Sequence, residues 1–369
     1  MLGHFDVDAF YASVAVRDDP SLGGKPLAVA GSSRRAVVLT ASYEARPFGV
    51  RSAMPLYRAL QACPQLVVVP PHHARYRELS QEIFKIFAQD SRTVEGLSFD
   101  EAFVDFGACD IQAATQTAAQ VRAQVRERTG LTVSAGIASG KMVAKIASDL
   151  CKPDGLRAIA PGQEAAFLAP LPAGKLWGIG PKAQARLAAR GINTIGELAE
   201  LSDAALYAVF GSGGAEVGEL ARGRDPRPVQ GDRETKSIST EETFEYDVRE
   251  EYILRDVLRE QAAELSRKLL SEGLCASTVG IKIKRSDFSV VVRQTHLSEP
   301  ALDEATILAA STHCLARANV LTMPVRLLGT RVASLVLGAS RQTSLFASES
   351  NVVVNPDAVC GTRSAGGLL

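Results

Sequence analysis

The residues best suited to chemistry in this chain are carboxylates set among apolar and aromatic side chains. The segment FDVDAF, Phe5 to Phe10, carries Asp6 and Asp8, and about ninety residues later LSFDEAFVDF, Leu97 to Phe106, carries Asp100, Glu101 and Asp105. Both segments otherwise read as buried strands. On a strand, Asp6 and Asp8 leave one face while Phe5 and Val7 enter a core. Three carboxylates within roughly 5 Å repel by about 3 kcal/mol per pair at an effective dielectric near 20. Divalent cations relieve that repulsion. Hard oxygen donors suit magnesium or manganese, and a two-ion site serves in-line phosphoryl or nucleotidyl transfer. A regular strand sends Asp100 and Glu101 to opposite faces, so both reach one site only if a turn, bulge or hairpin tip falls there. A lone acidic pair beside a strand is more often a solvated edge or turn; two such clusters together favour a site.

The elements that must position these acids alternate over residues 1–162. Strands are predicted for Leu2 to Val7, Leu27 to Ala30, Val37 to Thr40, Leu66 to Val69, Leu97 to Phe106 and Leu131 to Ile137. Helices are predicted for Phe10 to Val16, Ala53 to Gln61, Tyr76 to Gln89, Ile111 to Arg128 and Lys141 to Leu150. The pattern is that of an α/β or α+β domain with acids on its central strands. Residues 163–230 follow with helical periodicity broken by glycines. There Gly178, Ile179 and Gly180 precede a basic helix, as in a helix-hairpin-helix element whose glycines let backbone amides approach a phosphate. Lys182 and Arg186 lie one turn apart and flank that contact, and Thr194 is a candidate cap for the second helix.

A polar stretch from Arg224 to Thr240 reads as a linker, its core at 231–240. Beyond it, 241–338 reads as βαββαβ: a strand near Ser237 to Phe244, a helix Glu250 to Leu270, strands Ala276 to Arg285 and Ser289 to His296, a helix Leu302 to Ala318, and a strand Val325 to Leu337. In Ile281, Lys282, Ile283 and Lys284 apolar and basic residues alternate, giving one buried and one positive face. Arg293, Arg326 and Arg331 are candidates to extend that face and grip a duplex backbone. An ordinary solvated face explains the same pattern, for residues 231–335 hold 14 basic against 16 acidic side chains. Residues 339–369 lack periodicity and read as a flexible tail.

Composition sets the bounds. At 369 residues and 46% hydrophobic content the chain is too long for one core, and with 41 basic against 41 acidic residues any nucleic-acid surface must be local. Six scattered cysteines without a CxxC spacing argue against a zinc site or a disulfide framework. With neither a leader-like start nor a long apolar run, the expectation is a cytoplasmic protein without a membrane partner.

Over residues 3–346 the chain resembles the Y-family DNA polymerases, specifically their DinB type. The resemblance rests on FDVDAFYASV, on TASYEARPFGVRSAMP from Thr40 to Pro55, on SFDEAFVD from Ser98 to Asp105, on SAGIASGKMVAKIASDLCKPDG from Ser134 to Gly155, and on Gly178 to Gly180. It implies an α+β right hand: palm and fingers in 1–162 (fingers about 18–72), a helix-hairpin-helix thumb in 163–230 and a βαββαβ-like little finger in 241–338. The implied activity is DNA-directed DNA synthesis of low fidelity past damaged bases, without a proofreading exonuclease. Asp6, Asp100 and Glu101, with the Val7 carbonyl, would hold two magnesium ions, manganese being a substitute; Asp8 and Asp105 would support them. Tyr11 would be the steric gate against a 2′ hydroxyl. Phe10, Tyr11, Thr40, Tyr43, Arg46 and Lys152 would bind the deoxynucleoside triphosphate. Gly178, Gly180, Lys182, Lys282, Lys284, Arg293, Arg326 and Arg331 would contact primer-template DNA. Gln342, Thr343, Ser344, Leu345 and Phe346 resemble a peptide that docks on the bacterial sliding clamp, although 23 residues follow it here. A monomer is expected. Pro47, where a basic residue often stands, and the lack of excess positive charge in the last domain imply a weak grip on DNA. A non-catalytic accessory paralogue and a nucleotide cyclase are the alternatives; the retained acids disfavour the first, and the glycines of the thumb and Tyr11 the second.

Overall fold

The computed structural model describes residues 1–89, 92–231, 234–318 and 323–338. They fall into two compact units, one ending at Arg233 and one beginning at Glu234. The tail, with Gln342, Ser344, Leu345 and Phe346, lies outside the described residues.

The first unit opens with β1 (Leu2–Val7) and α1 (Phe10–Asp18), continues through β2 (Leu27–Ala30), β3 (Val38–Ala41), α2 (Leu56–Ala62), β4 (Val67–Val69) and α3 (His73–Phe87), and then forms β5 (Thr93–Gly96), β6 (Glu101–Asp105), α4 (Ile111–Thr129), β7 (Val133–Ala138), α5 (Lys141–Leu150) and β8 (Leu156–Ala158). Five of these strands make one sheet in the order β5-β6-β1-β7-β8, with β1 at its centre, antiparallel to both neighbours. A separate three-stranded sheet has the order β3-β2-β4. Period-two alternation on β1 sorts its side chains: Phe5 and Val7 join Leu79, Ile83, Val121 and Val125 in a core under α3 and α4. His4 and Asp6 take the other face, which α5 covers. Gly136 on β7 makes that approach possible, since a Cβ there would lie 2.0 Å from the Ala144 carbonyl oxygen and 2.5 Å from the Ser148 nitrogen.

One predicted strand is shorter than expected. Leu97 to Phe106 is not strand throughout: β5 ends at Gly96, β6 starts at Glu101, and Leu97 and Ser98 both donate to the Glu101 carbonyl. Asp100 therefore sits in a hairpin turn, which frees it from strand alternation. The short strands β5 and β8 were not predicted.

Five short helices follow: α6 (Glu164–Leu168), α7 (Pro181–Ala188), α8 (Ile195–Ala199), α9 (Asp203–Phe210) and α10 (Gly214–Ala221). Their apolar sides share a core with α5 through Met142, Leu187, Ile195, Leu206 and Leu220. Gly178 has φ +98, a conformation that side chains other than glycine rarely adopt, and α7 begins at Pro181 with no side-chain cap on its amides. Thr194 caps α8, and Glu197 returns the bond in a capping box. The stretch predicted as a free linker is partly fastened. Asp225 accepts from the Met142 amide at 2.8 Å and the Gln230 amide donates to Glu95 at 2.9 Å. The linker reading fails there because buried acids, not composition, decide where the chain lies.

The second unit comprises β9 (Ser237–Val248), α11 (Glu251–Glu272), β10 (Leu274–Arg285), β11 (Val290–Ala301), α12 (Glu304–Ala316) and β12 (Val325–Leu337) in sheet order β11-β10-β12-β9. This is the predicted βαββαβ order, although β9 begins inside the segment assigned to the linker. Ile281 and Ile283 are buried under the helices. Lys282 and Lys284 point the other way, and Arg331, opposite Gly280, shares their face. Arg293 does not extend it. Its partner in register is buried Ile281, so it belongs to the helix side, where its Nε donates to the Arg317 carbonyl at 3.2 Å. Lys282 is paired with Glu241 across Gly329 at 2.9 Å, while Lys284 and Arg326 flank the Phe288 ring.

Candidate active site

Antiparallel pairing of β1 with β6 sets Asp6 directly opposite Glu101, and the Val7 amide donates to the Asp100 carbonyl at 2.9 Å. The backbone thus brings all three expected acids to one end of the sheet. Their side chains are partnered by cations. Lys152 Nζ lies 2.6 Å from Asp6 Oδ2, and Lys145 Nζ contacts Glu101 Oε1. Asp100 accepts from Ser98 Oγ at 2.5 Å. Burial pushes the Asp6 carboxyl above the ordinary aspartate range, with Lys152 pulling the other way. Burial pushes the Lys145 ammonium below its usual value.

Asp8 lies just past the strand and is 2% exposed. Its carboxylate accepts from Ser134 Oγ, Thr132 Oγ1, the Asp154 amide and the Tyr43 hydroxyl, at 2.8, 2.8, 2.8 and 3.3 Å. With every side of the group engaged it is a structural clasp, and it does not share an open face with Asp6 as alternation predicts. Asp105 lies at the far end of β6 from Glu101, opposite Leu2, and accepts from the Gly107 amide.

Of the expected nucleotide contacts, Lys152 touches Asp6 and Tyr43 touches Asp8. Helix α1 starts after Ala9, at φ 46, with no side chain capping its amides and no acid in its first turn. Its positive end is therefore available to an anion near the acidic cluster. The Phe10 side chain is buried, leaving only its backbone at that end. Tyr11 stacks on Tyr76 with ring centroids 4.2 Å apart. The Arg46 guanidinium sits 4.0 Å above the Tyr43 ring, and Thr40 lies on β3 beside Val29 of β2. Burial and the neighbouring Asp8 push the Tyr43 hydroxyl pKa well above its ordinary value.

Three residues escaped the sequence reading: His4, Lys145 and Trp177. His4 is 1% exposed and bridges Ser148 Oγ and Glu101 Oε1, each at 2.6 Å. Burial, reinforced by Lys145, drives its pKa well below the ordinary histidine value. Trp177 lies 5.8 Å from Lys145 and 5.7 Å from Arg227 in cation–π geometry. The heptad-like spacing of Lys141, Lys145 and Ser148 on α5 was a visible signal for a face turned toward the acids.

Comparison with known proteins decides what this arrangement belongs to. Residues 5–149 match the impB/mucB/samB family, residues 161–192 the IMS family HHH motif, and residues 235–345 the impB/mucB/samB family C-terminal domain. A DNA polymerase IV of Desulfatibacillum aliphaticivorans is 42% identical over 349 residues, 93% of this chain and 87% of that protein. The chain is a Y-family DNA polymerase. A DNA polymerase IV of Stenotrophomonas maltophilia (strain K279a) is 46% identical over 296 residues, 79% of this Y-family chain and 80% of the relative. Among solved structures, a Y-family DNA polymerase chimera of Dbh and Dpo4 superposes with a TM-score of 0.83 at 25% identity, covering 92% of this chain and all of that one. DinB from Sulfolobus solfataricus gives 0.65 at 25% identity over the same shares. The Y-family fold of polymerase core, helix-hairpin-helix motif and sheet-based C-terminal domain is the fold of this chain.

Y-family polymerases use divalent cations, and the donor set here suits them. Asp6, Asp100 and Glu101 offer hard oxygens, and both contacts on Glu101 fall on Oε1, so that among the described residues no hydrogen bond reaches Oε2. In the arrangement shown, with lysines on two of the acids, no three His, Cys, Asp or Glu side chains among the described residues converge closely enough to grip an ion. Among the described residues no helix is long and apolar enough to cross a membrane, and Cys63, Cys109, Cys151, Cys275 and Cys314 are free thiols.

Proposed function

We propose that this DNA-directed DNA polymerase performs translesion synthesis by two-metal nucleotidyl transfer, without a proofreading exonuclease. The observation that carries the reading is the meeting of Asp6 and the hairpin acids Asp100 and Glu101 beside the uncapped start of α1 and the Tyr11 ring. Magnesium ions, or manganese in their place, supply charge neutralisation and an activated primer hydroxyl when bound; Asp6, Asp100, Glu101 and the Val7 carbonyl would hold them. The chain's own groups do the rest. The amides of Phe10 and Tyr11 and the cations Arg46 and Lys152 receive the triphosphate, and Lys152 must leave Asp6 to do so. Thr40 and Tyr43 line the same side, with Tyr43 steadied by Asp8. The Tyr11 ring, backed by Tyr76, limits space beneath the sugar and so disfavours a 2′ hydroxyl.

In this reading palm and fingers fall in 1–162, the thumb in 163–230 and the little finger from β9 onward. Gly178, Gly180 and Lys182 meet the duplex backbone, as do Lys284, Arg326 and Arg331; Lys282 does so after release from Glu241. Primer-template DNA and deoxynucleotides as partners are supported by Dbh DNA polymerase, described as an insertion ternary complex and alike at a TM-score of 0.67 and 25% identity. Docking on a sliding clamp through Gln342 to Phe346, activity as a monomer and residence in the cytoplasm are part of the proposal and rest on the sequence resemblance.

The test is primer extension with magnesium on undamaged and adducted templates. Replacing both Asp100 and Glu101 with Ala should abolish extension while duplex binding and circular dichroism stay near those of the parent. Extension by the double variant at the parental rate would remove the assignment.

A further inference from the structure

The contact that the established chemistry leaves unexplained is the buried bridge from α5 through His4 to Glu101. His4 stands two residues before Asp6 on β1 and thus on the same face, opposite Phe103, whose ring meets it edge-on at 4.9 Å. Ser148 on α5 closes the Nδ1 side at 2.6 Å and Glu101 Oε1 the Nε2 side at 2.6 Å. An ionised carboxylate only accepts, so the hydrogen on Nε2 goes to Glu101 in either protonation state of the ring. Ser148 is itself 0% exposed and also lies 2.8 Å from the Lys145 carbonyl, so the ring is held by a helix whose backbone packs directly against Gly136.

A satisfied core histidine would look similar, but its partners would be arbitrary. Here one partner is an acid of the candidate ion site, 17% exposed, which water could serve just as well. We propose that His4 is a positioning residue for Glu101: by donating to Oε1 it fixes the carboxylate rotamer and turns Oε2 toward a divalent cation. The inference rests on the reading of Glu101 as a cation ligand. Outer hydrogen bonds of this kind orient ligating groups, and their loss weakens metal binding by about 10- to 100-fold.

Two polar replacements separate the two ring nitrogens. His4→Gln keeps a donor near the Nε2 position and so keeps Glu101; His4→Asn keeps a group near Nδ1 and so keeps Ser148 alone. Free Mn2+ is followed by electron paramagnetic resonance while it is titrated into the protein bound to a primer-template with a dideoxy primer end and the next deoxynucleotide, so that no turnover occurs. His4→Asn should weaken Mn2+ binding about tenfold, with His4→Gln within about threefold of the parent. Equal affinities for the two variants, or the reverse order, would overturn the positioning role. Glu101→Gln is the control: if it binds Mn2+ as the parent does, the ligand reading of Glu101 falls and the inference with it, whereas loss in Glu101→Gln with parental binding in His4→Asn overturns the His4 proposal alone.

Discussion

Asp8 and Asp6 are two positions apart and have opposite fates. Asp6 stays on β1, its side chain 19% exposed and paired with one lysine; Asp8 is enclosed by donors from β7, from the residue after Pro153 and from Tyr43. An Asn at position 8 would offer one acceptor oxygen in place of two and turn an NH2 group into a cradle of four donors, of which the Asp154 amide cannot accept in return. Asp8→Asn should therefore lower stability by about 3 kcal/mol, read as a shift in the urea midpoint. The distinction between the two acids was not legible in the sequence, because strand alternation treats positions 6 and 8 alike and only the end of β1 at Val7 separates them. His4 was hidden for a related reason. A lone histidine on an apolar strand carries no mark of what it faces, whereas Asp100 and Glu101 were found because adjacent charges in a buried run require an explanation.

At the scale of elements, α5 connects the parts of the site. Asp225 serves the start of this helix in place of a local cap, for Gly140 has no side chain and a Cβ there would meet Asp225 at 3.1 Å. Near the same end Lys141 forms a buried pair with Glu95, which also accepts from Gln230. Further along, Lys145 and Ser148 reach Glu101 and His4. The depth of the helix against the sheet is set by Gly136, where an added methyl group strikes backbone that cannot rotate away. Gly136→Ala should cost about 2–3 kcal/mol in stability and reduce extension more than a surface Gly→Ala change does, measured by urea unfolding and by the single-nucleotide insertion rate. Helices such as α4 and α5 were predicted nearly to the residue because their apolar periodicity is long and their ends carry Asp110, Gly130 and Gly140. The strands β5 and β8 have only a few residues each and no pattern to detect, and the bound stretch around Asp225 reads as linker because pairing across distant sequence leaves no local trace.

Over the whole molecule, positive and negative charges balance, and the balance is kept in close pairs: Lys282 with Glu241 on the exposed sheet of the second unit, Lys152 with Asp6 and Lys145 with Glu101 in the first. The alternation of Ile281 to Lys284 foretold the two faces of that sheet, yet it misplaced Arg293, since register between strands depends on a hairpin whose length the sequence alone leaves undetermined. The lysines at the acids bear on how the unloaded polymerase behaves. Because the resting polypeptide brings its own counter-ions, stripping free metal leaves no cluster of bare negative charge to push the sheet apart. Storage in EDTA should thus silence catalysis while the melting temperature measured by differential scanning calorimetry moves by less than about 2 °C, and catalysis should return as soon as magnesium is restored, with no refolding step in between.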